Sequence, residues 1–479
     1  MNRDAVIAVN RFGLGAAPGE LAAVTRDPRS WLLAQVRGPA PDYPQLASLA
    51  GSDELLKEFP RWLMKVRAER RGEMTPPMRG EVTPPMRGEA QAPMQERPQQ
   101  GVEHSFGKHF FPIAAKEIGA RFGVAATTPA PFHERLTWFW SNHFAVSADK
   151  PTVFAVAGAF EREAIRPNVN GRFVDLLLAA TKHPAMILYL DNNLSVRPGF
   201  QPPQAAERAN LPRATGLNEN LAREILELHT LGVNGGYTQA DVTTFARALT
   251  GWTVGGMSDT GFRFAPRRHE AGPKTILGRT YAQEGMAQGE LILRDLAAHP
   301  ATARHVATKL VRHFIADDPP PAAVERVARA FTDSGGELQV VYAALVGSPE
   351  AWAQPLPKLK QPIEFIASAL RAVPPAREAK PEALFLALRE MGQRPFFPPS
   401  PQGWPDTAAA WANADGLWKR IEWSTALAER VGTRVDPLAI AESTYGPALS
   451  EATRLAIMRA ESKQQGLALA LASPEFQRR

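Results

Sequence analysis

The chain has 479 residues, 44% hydrophobic and 22% charged, with a net charge of +6; this balance excludes an intrinsically disordered chain and leaves room for several domains or one continuous helical core. There is no cysteine, which excludes disulfides, thiolate metal centres, iron–sulfur clusters and a cysteine nucleophile, so a metal would have to rest on His, Asp or Glu. The arginines are scattered along the chain rather than gathered into a patch, so nucleic acid is not the expected partner.

In chain order, "MNRDAVIAVNRFGLGAAPGEL" carries charge at Arg3, Asp4 and Arg11 and lacks the apolar centre of a secretory signal. With no apolar run long enough to span a bilayer, the expectation is a soluble, cytoplasmic protein, with export left open. Residues 1–64 read as the N-terminal helical part of the main body. "GEMTPPMR", "GEVTPPMR" and "GEAQAPMQ" then repeat with a period of eight from Gly72 to Gln95. Paired prolines forbid helix and central strand there, so 65–104 is expected to be a disordered low-complexity insert with polyproline II character, or a docking peptide.

Residues 105–355 read as a central helical core. "HERLTWFWSNHFAV" is apolar nearly all round, which predicts a buried helix with Arg135, Trp138 and Asn142 on one face and Glu219 or Glu224 as their polar partners. His143 lies roughly 100° from Asn142, so both can border one pocket. In "GLNENLAREILELHTLG", helical placement puts Glu219, Asn220, Arg223, Glu224 and Glu227 within an arc of roughly 140° and His229 on the apolar side. That stripe reads either as a solvated face with i, i+4 ion pairs or as the wall of a cleft in which Glu224 and Glu227 act as paired carboxyls.

Further on, Thr238 and Asp241 form a capping box before an apolar stripe at Val242, Phe245, Ala246 and Leu249 that stops by Gly251. Phe262 and Phe264 alternate and Thr275 to Leu277 make a return strand, which predicts one hairpin over about 261–281. Its loop presents His269, Glu270 and Lys274 beside Gly272, expected to be exposed and available for chemistry. The helix after His299-Pro300 gathers Arg304, His305, Thr308, Lys309, Arg312 and His313 on one basic side, suited to solvent or to a phosphate, sulfate or uronate. In 356–479, the C-terminal helical part, "RPFFPPSPQGWPD" reads as a long aromatic loop before helices resume. The expected fold is mainly α: a multi-helix body with a small β-hairpin and long Pro-rich loops.

Taken together, "RFGLGA", "LTWFWSNHFAVS", "NENLAREILELHTLGVNGGYTQADVTTFARALTGW", "HEAGPKTILG", "HPATARHVATKLVRHFIADDPPP", "KLKQPIEF" and "PPSPQGWPD" resemble the bacterial domain of unknown function 1800 family, over nearly the whole chain outside the repeat. The resemblance carries no reaction with it. It implies a partner or shared substrate with a neighbouring family that is similar to alkaline phosphatases and sulfatases. Many members carry Asp where this chain has Glu270.

Two functional readings follow. In the first the chain is an enzyme, hydrolytic or group-transfer, acting on an anionic or carbohydrate-like substrate: Glu224, Glu227 and His269 act as acid, base or ligands to a divalent metal, and Asn142, His143, Asn220, Arg223, Lys274 and Arg312 hold the substrate. In the second it is a non-catalytic helical accessory protein that docks a phosphatase- or sulfatase-like neighbour or a cell-envelope polymer through the loop around Phe396, Phe397 and Trp404. Walker A, G-x-G-x-x-G, H-E-x-x-H and G-x-S-x-G motifs are missing from the sequence, which disfavours nucleotide-dependent and serine-hydrolase chemistry.

Overall fold

Apolar residues recur at helical spacing along most of the chain, and these stretches fold as helices in the computed structural model, which describes residues 2–38, 41–73, 98–201, 216–256, 259–353 and 356–479. The result is a mainly α protein with two small antiparallel sheets. Forty-three prolines are accommodated because many open a helix: Pro131, Pro151, Pro300, Pro321, Pro362 and Pro381 each sit in the first turn, where no N–H is needed. In the two His-Pro-Ala segments the histidine is the cap, with Nδ1 of His183 and His299 accepting from the amides of Ala185 and Ala301 at 3.1 Å each.

Burial of the helical stripes produces two large hydrophobic cores and a small third one at Tyr43, Leu46 and Val124. The largest draws on residues between Ala5 and Ala351. The second unites the Pro98–Thr127 helix with the Pro362–Ala372, Pro381–Glu390, Ala414–Val431 and Lys463–Ala472 helices. The Pro131–His143 helix serves both, giving Phe132, Leu136, Phe139 and Trp140 to the first and Trp138 to the second. Its composition, apolar on every side, fits that position between layers. Among the described residues no helix is long and apolar enough to cross a membrane.

Two local expectations are revised. Helices Ser52–Glu73 and Pro98–Thr127 enter the stretch 65–104 from both ends, fastened by Phe59, Trp62, Phe106 and Phe110; the rest of the repeat insert lies outside the described residues. The single hairpin expected over 261–281 is two. Phe262–Phe264 (β2) pairs with Trp252–Val254 (β1), and Lys274–Ile276 (β3) pairs with Arg279–Tyr281 (β4). Trp252 stacks edge-on against Phe262 at 5.2 Å, a cross-strand aromatic contact that favours this pairing over one with residues 275–277.

Candidate functional site

The helix that carries the acidic stripe is not uniform. Asn220–Glu224 is α-helical and Ile225–His229 is a π-turn, held open where the Thr230 hydroxyl donates to the Ile225 carbonyl at 2.6 Å. A π-turn leaves carbonyls without intrahelical partners. Two histidines from other helices satisfy them: His143 Nε2 donates to the His229 carbonyl at 3.1 Å, and His305 Nε2 to the Leu228 carbonyl at 2.9 Å. Gly232, at φ +85°, leaves room for this, since a Cβ there would lie 2.8 Å from His305 Nδ1.

The rings of His229 and His305 lie 6.2 and 6.1 Å from that of His143. Burial, reinforced by the nearby Lys309 ammonium, drives His143 well below the usual histidine range, His229 down to about 3 and His305 to about 4. All three are neutral at physiological pH. Among the described residues, Nδ1 of His143 and Nε2 of His229 are buried without a hydrogen-bond partner.

Beside this cluster opens a cleft of about 430 Å³, walled by Phe139, His143, Glu227, His305, Lys309 and Arg312, with residues 399–400 and 402–407 across from them. Helical spacing aims His305, Lys309 and Arg312 of the Pro300–Phe314 helix into it at i, i+4 and i+7. Lys309 Nζ makes no hydrogen bond or ion pair among the described residues. Burial lowers its pKa to about 8, opposed by Asp406 and aided by Arg312. Among the described residues Arg312 spends only Nε, on the Asp317 carbonyl at 3.4 Å, and its terminal nitrogens are uncommitted. Burial and then the charge of Glu227 hold the Tyr237 hydroxyl above its ordinary value. One turn back from Glu227, burial and then its charge raise Glu224 to about 7, with Arg223 opposing.

The far wall is fixed by Asn142, whose Nδ2 donates to the Trp404 carbonyl at 2.9 Å and whose Oδ1 accepts from the Trp404 amide at 2.7 Å. Behind it lies a buried ionic network. Arg135 donates to Glu364 at 2.8 Å, to the Gly13 carbonyl at 2.8 Å and to the Asn10 carbonyl at 3.2 Å, the last two at the end of the Ala8–Phe12 π-turn. Arg135 Nε also donates to His313 Nε2 at 3.3 Å, so His313 carries its proton on Nδ1 and gives it to Asp406 at 2.7 Å. Glu364 and Asp406 are further held by Arg479 at 2.8 and 3.1 Å.

The structure therefore brings Asn142, His143, Glu227 and Arg312 to one cleft, with Glu224 adjoining. It does not bring the others there. Asn220 is exposed, and Arg223 is turned to Glu219 and Gln239 at 3.0 and 3.1 Å. His269, expected to be exposed, is buried: its Nδ1 hydrogen-bonds the Thr250 carbonyl at 2.9 Å and its ring packs on Phe264. Lys274 is likewise buried, its ammonium donating to the carbonyls of Glu270, Ala271 and Gly272 at 3.0, 3.1 and 2.9 Å. It ties the turn together, the work of a loop whose carbonyls would otherwise go unpaired.

The polar partners of Arg135 and Asn142 are Glu364 and Trp404 rather than Glu219 or Glu224. Phe396, Phe397 and Trp404, expected to offer a docking surface, are part-buried, with Arg394 over the Phe397 ring at 3.5 Å. Sequence reasoning placed His305 and Lys309 on a basic helix side and left them out of the site, although their spacing with Arg312 was the available signal. Among the described residues no group of three or more His, Asp or Glu side chains is placed to hold a metal ion.

A family model described as "Protein of unknown function (DUF1800)" matches residues 7–478. No curated protein and no solved structure matches the chain.

Proposed function

The chain belongs to the DUF1800 family, a family of unknown function, over nearly its whole length, and we propose that it is an enzyme, hydrolytic or group-transfer in type, whose substrate places an anionic group in the cleft between the 220–229 and 300–314 segments. The observation that carries this reading is the pair of uncommitted cations, Lys309 and Arg312, facing a cleft that also holds Glu227. The buried cations Arg135, Arg166 and Lys358 are by contrast each paired with a carboxylate. An Arg fork beside a point-charge ammonium is suited to phosphate, sulfate or carboxylate.

Glu227, which lines the cleft, is the carboxyl able to transfer a proton there, and Glu224 one turn back, raised to about 7, is populated in both forms at neutral pH beside it. The neutral histidines allow an anion to enter without a competing positive charge deeper in the site, so that Lys309 and Arg312 set its position.

Calorimetric titration with inorganic phosphate and sulfate tests the proposal. Lys309→Ala and Arg312→Ala are each expected to weaken binding by about tenfold, or about 1.4 kcal/mol. Arg304→Ala removes a charge from the exposed side of the same helix, where it meets Glu325, and should leave binding unchanged. Equal affinity in all three variants, or no binding by the unaltered protein, would refute the reading.

A further inference from the structure

Lysines in a folded protein ordinarily extend into water or are tied to acceptors. Here Lys182 pairs with Glu290, Lys358 with Asp317, and Lys274 with three carbonyls. Lys360 has no hydrogen-bond partner among the described residues but is sealed, at 1% exposure, over the ring of Phe476, so no substrate reaches it. Lys309 combines the two conditions: it has no hydrogen-bond or ion-pair partner among the described residues, and it opens on a cleft.

We propose that Lys309 is an amine nucleophile that captures the aldehyde or keto group of an anionic substrate as an imine. The proposal rests on the anion-binding reading of the cleft and adds the reacting bond and the substrate class to it. Three features of the site support it. A lysine becomes nucleophilic when it is desolvated or placed beside another cation, and Lys309 meets both conditions, with Arg312 one turn on and burial bringing its pKa down to about 8. Arg312 keeps its terminal nitrogens free for the substrate's anionic group, which places a carbonyl a few atoms away within reach of Nζ. Glu227, lining the same cleft, is a carboxyl able to move a proton between nitrogen and oxygen.

The step balances without a redox partner. The neutral amine adds to the carbonyl carbon, a C–N bond forms as the C=O π pair moves to oxygen, and a proton passes from nitrogen to that oxygen to give a carbinolamine. Glu227 then carries the second nitrogen proton to the hydroxyl, which leaves as water as the C=N bond forms.

Glyoxylate, a small anionic aldehyde, is the probe. The full chain is incubated with it, treated with borohydride, which delivers hydride to the imine carbon, and mapped by peptide mass spectrometry. Lys309 is expected to be alkylated on the order of tenfold faster than the exposed Lys463, because more of it is unprotonated. Inorganic phosphate should protect Lys309 and leave Lys463 untouched. Lys309→Arg keeps a cation in the cleft but has no amine to form an imine, and should lose the adduct. Alkylation of Lys309 no faster than that of Lys463 would overturn the proposal; if phosphate still bound through Arg312, the anion site would stand and imine capture alone would fall. Loss of phosphate binding together with rapid alkylation would instead remove the anionic requirement and leave a general carbonyl trap, contrary to the substrate class assigned.

Discussion

Glu224 shows how much a residue's surroundings decide. By helical angle it belongs with Glu219, Asn220, Arg223 and Glu227, and that stripe was legible in the sequence, as was the burial of His229. What each member faces was not legible: the π-turn at Ile225–His229 breaks the 100° progression for Glu227, and Glu219 and Arg223 before it meet partners on another helix that no local pattern announces. Glu219 and Arg223 turn to Gln239, Glu219 also to Thr243, and Glu227 to the cleft. Burial beside Glu227 raises the Glu224 carboxyl from 4.5 to about 7. Since the folded value is the higher one, the protonated form favours the fold: its contribution is complete below pH 4.5 and is lost as pH rises through about 7. Glu224→Gln removes that dependence. Urea unfolding should find the variant more stable than the unaltered protein by about 1 to 2 kcal/mol at alkaline pH, after allowance for solvent screening. The difference should vanish below the unfolded value, and a gap that stayed constant with pH would contradict the assignment.

Elements were readable where their signals were local. The capping box of Thr238 and Asp241 is present as expected, and helix-opening prolines recur along the chain. Pairings across a gap were harder to read: Gly255-Gly256 and Gly261 mark a turn between β1 and β2, but a turn signal alone does not say which strand Phe262–Phe264 joins. The loop opposite Lys309 was legible only as irregular, because its shape is dictated by a side chain from another helix. Gly403 has φ +85°, and a Cβ there would strike the Asn142 carbonyl and side chain. Gly403→Ala therefore combines a left-handed backbone penalty with a clash. A loss of about 2 kcal/mol is expected, with hydrogen exchange accelerated at the Trp404 amide that Asn142 holds. Asn142→Ala removes both clamping hydrogen bonds at once and should reproduce the exchange effect without the backbone strain. Protection at Trp404 that survived both changes would show that the cleft wall is fixed by something other than this clamp.

At the scale of the molecule, the two large cores meet at the buried charges around Glu364, and here the sequence was silent for a physical reason. Arg135 contacts His313 and Glu364 across 178 and 229 residues, and no local pattern announces such partners. Amphipathic periodicity shows that a helix is buried, yet not which carboxylate awaits its arginine. Glu364 accepts from both Arg135 and Arg479 and is 3% exposed. Both arginines, with Arg135 the stronger, offset the burial that would otherwise favour its acid, so its pKa lies below the ordinary value. Removing one member of such a group strands a buried charge, whereas replacing charged partners together by apolar ones of similar size recovers much of the loss. Glu364→Gln is therefore expected to lower stability by about 3 to 5 kcal/mol. Arg135→Met combined with Glu364→Leu should regain only part of it, because Arg479 is left with Asp406 as its one carboxylate partner among the described residues. Since the Glu364 carboxylate stabilises the fold only while ionised, the deficit of Glu364→Gln should shrink as pH falls through the depressed pKa. Denaturation midpoints across pH separate this from a packing effect: a deficit unchanged in acid, or one below about 1 kcal/mol at neutral pH, would mean that the cores are joined by apolar contact rather than through these charges.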